Sequence, residues 1–199
     1  MLDAWRKGDR SAGEALFERH FDAVARFFRN KVDHGIDDLI QRTFLACVET
    51  KDRFRGDSSF RTYVFAVAHN VLGKHYRSEK RHGGKIDFGV TSVFDLSPSP
   101  SVIVAKHREQ QVLLQALRKI PLENQVVLEL YYWEKLSARE VATVVGVPEG
   151  TARTRIRRAK QLLEIEMGKL MGNKALLETT IANLDGWAES LREQLRSPT

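Results

Sequence analysis

Between Thr151 and Lys160 the chain carries Arg153, Arg155, Arg157, Arg158 and Lys160 and no acid. Wound as an α-helix, this stretch puts Ala152, Ile156, Ala159 and Leu163 on one face and Arg153, Arg157 and Lys160 on another, with Thr154 and Arg158 alongside. Such a row of guanidinium, ammonium and hydroxyl donors suits phosphates and base edges rather than bond making. The helix before it is well specified. Ser137 and Glu140 have capping-box spacing, Leu136 and Val141 sit where a hydrophobic staple packs, and Gly146 ends the helix. Val147 then forms the turn, Pro148 suits the first position of a new helix, and Glu149 places negative charge where the dipole favours it. A basic stripe alone reads as a solvated bundle face. Cap, staple, turn and stripe together predict a helix-turn-helix whose second helix enters the major groove.

A second cationic face lies upstream. After a turn over Arg55 to Ser59, Ser58 or Ser59 can open a helix with Phe60, Val64, Val67 and Val71 on one side and Asn70, Lys74, Arg77 and Arg81 along another. Earlier still, Ser11 with Glu14 can cap a helix with the apolar stripe Phe17, Phe21, Val24 and Phe28. Gly35 breaks it, and Asp37 or Asp38 can cap a helix that buries Ile40, Phe44, Cys47 and Val48.

Helical spacing dominates and sustained period-two alternation is absent, so the fold class is all-α. From Gly83 to about Ser101 the composition turns to Gly, Ser and Pro, and Pro98 and Pro100 disfavour helix. Two small helical domains joined by a flexible linker follow, over residues 1–82, 83–104 and 105–168. In the second domain a helix ends at Ile120 before Pro121, and the next carries Val126, Val127, Leu130 and Tyr131. Residues 169–199 form a C-terminal amphipathic helical extension: Leu177, Ile181, Leu184, Ala188, Leu191 and Leu195 recur at alternating spacings of four and three. So short a stripe needs docking, and self-packing is the expectation.

A net charge of +6 over 199 residues favours a polyanionic partner. Cys47 is the only cysteine, which excludes an intramolecular disulfide or a cysteine-based zinc site and points to a reducing, cytoplasmic setting. No apolar run approaches the roughly 20 residues a membrane helix needs, so membrane insertion is not expected. No phosphate-cradling glycine loop, paired histidine metal motif or nucleophile motif occurs, so neither enzymatic activity, a metal nor a cofactor is expected. His69, His75, His82 and His107 are read as surface or DNA-facing groups, and Trp5, Trp133 and Trp187 as packing residues.

Asp38-Leu39-Ile40-Gln41-Arg42-Thr43-Phe44 and Arg53-Phe54-Arg55-Gly56-Asp57-Ser58-Ser59-Phe60-Arg61-Thr62-Tyr63 resemble the second conserved region of extracytoplasmic-function sigma factors of the sigma-70 family. Ile120-Pro121 and Leu136 to Leu163 resemble the fourth. The resemblance implies a transcription-initiation factor that binds core RNA polymerase and directs it to promoter DNA, its first domain on the β′ clamp helices and its second also touching the β flap. By matching positions, Asp38, Leu39, Gln41 and Phe44 would bind the polymerase. Phe54, Arg55, Asp57, Ser58 and Ser59 would hold a base extruded at the minus-ten element, with Asn70, Lys74 and Arg77 along the DNA. Arg153, Thr154, Arg157 and Arg158 would read the minus-thirty-five element. Arg42 and Tyr63 depart from the usual acid and tryptophan. An anti-sigma factor commonly restrains such proteins, and the extension after Asn173, lying beyond the two-domain pattern, could replace or modulate one. The rival within DNA binding is a one-component regulator, which needs the second domain only.

Overall fold

The computed structural model describes residues 1–54, 56–79, 86–96, 108–171 and 174–194, and all helix in them is α, 3-10 or π, with one isolated antiparallel bridge between Ser92 and Pro121. Arg55, Arg81, His82, Gly83, Pro98, Pro100, His107 and Leu195, on which expectations rest, lie outside the described residues, as do the side chains of Leu177 and Leu191.

Four helices build the first domain: α1 (Leu2–Arg6), α2 (Arg10–Arg29), α3 (Ile36–Glu49) and α4 (Phe60–Glu79). The cap of α2 is Asp9, not Ser11. Its carboxylate accepts from the Ala12 amide at 3.0 Å and the Ser11 hydroxyl at 2.8 Å, while Glu14 turns to Arg10. An ionised acceptor just ahead of the hydroxyl outcompetes it for the unpaired amides. At α3 the starting residue is Gly35 in the left-handed region (φ 71°), so Asp37 and Asp38 sit inside the first turn and complement the dipole instead of capping. The expected apolar stripes are only partly core. Val24, Phe28, Ile40 and Cys47 are buried and Phe17 and Phe44 half-buried, but Phe21 is 44% and Val48 42% exposed, because no described element covers that end of the α2–α3 pair. Burial pushes the Cys47 thiol up to about 12, which keeps it protonated.

The second domain comprises α6 (Arg108–Lys119), α7 (Leu122–Leu128) running into a π-helical turn (Glu129–Trp133), α8 (Ala138–Val145) and α9 (Glu149–Met171). The Ser137–Glu140 capping box forms in both directions, Leu136 and Val141 are buried beneath it, and Gly146 closes α8 at φ 69°. Ahead of this domain, residues 86–96 fold onto it. The short helix α5 (Val93–Leu96) buries Val93, and the Leu122 and Glu123 amides donate to the Thr91 and Phe88 carbonyls at 2.9 and 3.1 Å.

The extension is two helices, α10 (Lys174–Ala182) and α11 (Leu184–Gln194), rather than one continuous stripe. Asn183, Asp185 and Gly186 are turn formers that interrupt the heptad pattern. Self-packing is nonetheless what is seen: α10 lies on α9, α11 lies on the π-turn, and Ile181, Leu184 and Ala188 are buried. Gln110 donates to Ser190 at 2.9 Å, Lys135 pairs with Asp185 at 2.8 Å, and Arg192 reaches the Trp133 carbonyl at 3.4 Å.

The two domains are closed on one another, α4 lying along α8. Replacing Ser137 with Ala removes the acceptor for the Glu140 amide and should cost about 1 kcal/mol, read as a fall in the thermal unfolding midpoint with an unchanged far-UV circular dichroism spectrum.

Candidate nucleic-acid interface

Helix α9 presents the cationic face its sequence predicts. Ala152, Ile156, Ala159 and Leu163 are buried against α6, α7 and α8, which leaves Arg153, Thr154, Arg157 and Arg158 exposed. Arg153 is aligned by Glu149 at 2.6 Å, and the Thr154 hydroxyl donates to the Gly150 carbonyl at 3.0 Å. Arg155 belongs to the fold instead, half-buried and paired with Glu123 at 2.9 Å.

On the first domain, Ser59 caps α4 by accepting from the Thr62 amide at 3.1 Å. Gly56 takes φ 83° in the loop before it, Asp57 and Ser59 are exposed, and Ser58 is half-buried. Phe54 is turned inward, its ring 4.6 Å from that of Tyr63. The Tyr63 hydroxyl lies 2.6 Å from the Thr50 hydroxyl, and burial raises its pKa. Phe54 and Tyr63 thus form an aromatic floor at the base of the loop. Asn70, Lys74 and Arg77 line the exposed side of α4. His69 is not a surface group. It lines a cavity of about 120 Å³ with Asn70, Gly73, Arg77, Phe88 and Glu123, and desolvation, reinforced by Lys31, Arg77 and Arg155, pulls its pKa down to about 4.

The third surface is apolar. Phe17 and Phe44 approach to 4.8 Å, Phe21 stacks toward Phe44 at 6.5 Å, and Leu45 is 56% exposed beside them, with Asp37 and Gln41 at the rim. An aromatic cluster open to water on a charged protein marks a contact surface. Asp38 and Gln41 are exposed and Asp38 is paired with Arg42 at 2.8 Å. Leu39, however, is 1% exposed and belongs to the core, so it supports this surface without touching a partner.

Sequence reading missed the groups that hold the domains together. Glu134, 4% exposed, accepts from Arg26 at 3.1 Å and Arg61 at 2.9 Å; Glu129 pairs with fully buried Lys31; and Arg118 pairs with Asp33 at 2.9 Å. Glu140 of the capping box also accepts from Thr62 at 3.3 Å. These partners stand far apart in the chain, so no local spacing could have signalled them.

The Sigma-70 region 2 family model matches residues 16–82, and the Sigma-70, region 4 model matches residues 110–163, in the order of the two domains. The ECF RNA polymerase sigma-E factor of Escherichia coli (strain K12) is 23% identical over 180 residues, covering 86% of this chain and 94% of that protein. This chain belongs to the sigma-70 family, extracytoplasmic-function type. The sigma-E factor of Haemophilus influenzae is 24% identical over 182 residues, with 86% and 95% covered. Two solved structures share the fold of this sigma-70 chain: CnrH in complex with the cytosolic domain of CnrY (TM-score 0.59, 22% identity, 82% of this chain and 92% of that one), and the sigma factor RpoE in complex with the anti-sigma factor NepR from Bartonella quintana (TM-score 0.59, 20% identity, 80% and 96%). The region 2 match disfavours the one-component regulator, which has no use for that domain. Among the described residues of this sigma-70 chain, no group of metal-binding side chains is gathered and no helix is long and apolar enough to cross a membrane.

The position of His69 has a consequence for acid stability. Between its unfolded pKa near 6.5 and its folded value of about 4, the unfolded chain binds a proton that the folded chain does not, so stability falls as pH drops through that window, by at most roughly 3 kcal/mol. Urea unfolding at pH 7 and pH 5 measures this, and His69→Gln should flatten the difference.

Proposed function

We propose that this sigma factor confers promoter specificity on core RNA polymerase and stabilises the melted strand, with phosphodiester chemistry left to the polymerase and no enzymatic activity of its own. The observation that carries this reading is the presence on one chain of three separate exposed surfaces, each of the right chemistry. The aromatic patch of Phe17, Phe21, Phe44 and Leu45, with Asp37 and Gln41 at its edge and exposed Asp38 next along α3, fits the apolar-and-charged surface of the clamp helices. The loop of residues 54–59 over its aromatic floor, with Asn70, Lys74 and Arg77 following, fits an extruded base and its strand at the minus-ten element. Arg153, Thr154, Arg157 and Arg158 fit major-groove readout at the minus-thirty-five element. Residues 1–82 and 105–168 thus act as the two promoter-reading domains, and the protein works in the cytoplasm, where polymerase and promoter are.

The closed arrangement cannot serve at a promoter. Twenty-five base pairs of duplex extend roughly 85 Å at 3.4 Å each, whereas a compact chain of this length has a radius of gyration of only roughly 16 Å. The domains therefore separate on binding polymerase, and the extension, whose α11 is seated on the π-turn, is placed to set how readily they do so. The neighbour solved with the anti-sigma factor NepR makes such a restraining partner a candidate for this chain as well.

Size exclusion with bacterial core RNA polymerase followed by genome-wide run-off transcription tests the reading. A holoenzyme with a shared upstream motif is expected; duplex binding without core binding would refute it. Leu45→Arg should lower affinity for core at least about tenfold while leaving the fold intact. Arg157→Ala should weaken duplex promoter binding by about 1 to 3 kcal/mol if it reads a base, or lower the salt slope by about 0.9 if it holds a phosphate.

A further inference from the structure

We infer that Arg26 and Arg61 form a phosphate site for single-stranded nucleic acid, which the Glu134 carboxylate occupies in the closed form. The inference rests on the sigma-factor reading and extends it to residues that the family resemblance does not single out. Two guanidinium groups from different helices converge on one carboxylate: Arg26 Nε and Nη2 lie 3.1 and 3.3 Å from Glu134 Oε1 and Oε2, and Arg61 Nη2 lies 2.9 Å from Oε2. The guanidinium fork takes carboxylate and phosphate oxygens in the same geometry. Both arginines belong to the first domain, and the carboxylate comes from the second. When the domains part, the first keeps two adjacent cations whose anion has left.

Their position names the ligand. Arg61 is on the first turn of α4, immediately after the loop proposed to hold an extruded base, so a strand leaving that loop passes Arg61 first. His20 stands in the same field: burial, then the charges of Arg61 and Arg19, hold its pKa down while Glu134 opposes them, and a neutral imidazole leaves the two arginines as the local charge. The contact is also built to separate. A void of about 20 Å³, room for one water, lies between Arg26, Asn30, Leu130 and Glu134, and buried Gln125 Oε1 nearby has no hydrogen-bond partner. Buried ion pairs roughly offset their own desolvation, so exchanging carboxylate for phosphate costs little.

The test is fluorescence anisotropy of a fluorescein-labelled oligothymidylate on the full chain, with core polymerase binding measured on the same preparations. Glu134→Gln is expected to raise affinity about tenfold over the unsubstituted protein, as the closed fraction falls. Adding Arg26→Gln and Arg61→Gln should abolish the gain and reduce the salt slope by about 0.7 for each phosphate no longer held. Glu129→Gln, which loosens the interface without touching either arginine, should produce a gain with the same dependence, and it carries the test if Glu134→Gln does not fold. Unchanged affinity in both loosened variants, a gain that survives removal of both arginines, or an equal gain on duplex DNA would overturn the site. Absence of core binding in every preparation, the unsubstituted protein included, would instead overturn the sigma-factor reading and leave the oligonucleotide result to stand by itself.

Discussion

Glu134 accepts from two arginines of the other domain while only 4% exposed, and Glu129 does the same for a lysine with no exposure at all. Both carboxylates sit on or beside one π-helical turn, Glu129 at its first residue and Glu134 at its C-cap. Ionised groups that deep are tolerated only when each is paired, so the closed arrangement satisfies all of them together or none. The register of α4 against α8, the burial of Lys31 and the seating of residues 86–96 are consistent with that single constraint. A purely apolar interface would have been tighter but less able to open.

The same turn receives the C-terminal extension. Helix α11 covers it, Arg192 reaches the Trp133 carbonyl, and Lys135, held at φ 52°, pairs with Asp185. A left-handed lysine is uncommon, and this one is tied to the extension through its exposed pair with Asp185. The extension is thus mechanically connected to the groups that close the domains.

The three outward surfaces differ in how they are held. Helix α9 depends on a closely packed inner face set against α8, whose own start is fixed by a reciprocal cap. The loop proposed to hold a base depends on the ring pair of Phe54 and Tyr63, and Tyr63 is anchored in turn by the Thr50 hydroxyl. No described element lies over the aromatic patch, which leaves Phe21 and Leu45 exposed and Phe17 and Phe44 half-buried.

Much of this protein was legible in its residues. The capping box at Ser137 and Glu140, the glycine at 146, the buried Ala152–Leu163 stripe and the exposed arginines opposite it are consequences of spacing within one or two turns of helix, and spacing is what a sequence displays. The all-α class followed from the same periodicity, and two separated motifs in order identified the family. Other features were decided only in three dimensions. Asp9 displaced Ser11 as a cap because a stronger acceptor lay within reach, and Leu39 turned inward because α3 packs on α4. Phe21 and Val48 stayed outside since no described element arrives to cover them, and His69 became a neutral, half-buried group when the second domain closed over it. The closure itself joins residues 73 to 108 positions apart. No local pattern encodes such a pairing, because the partners meet only after both domains have folded and their charges have lost the water that would otherwise satisfy them.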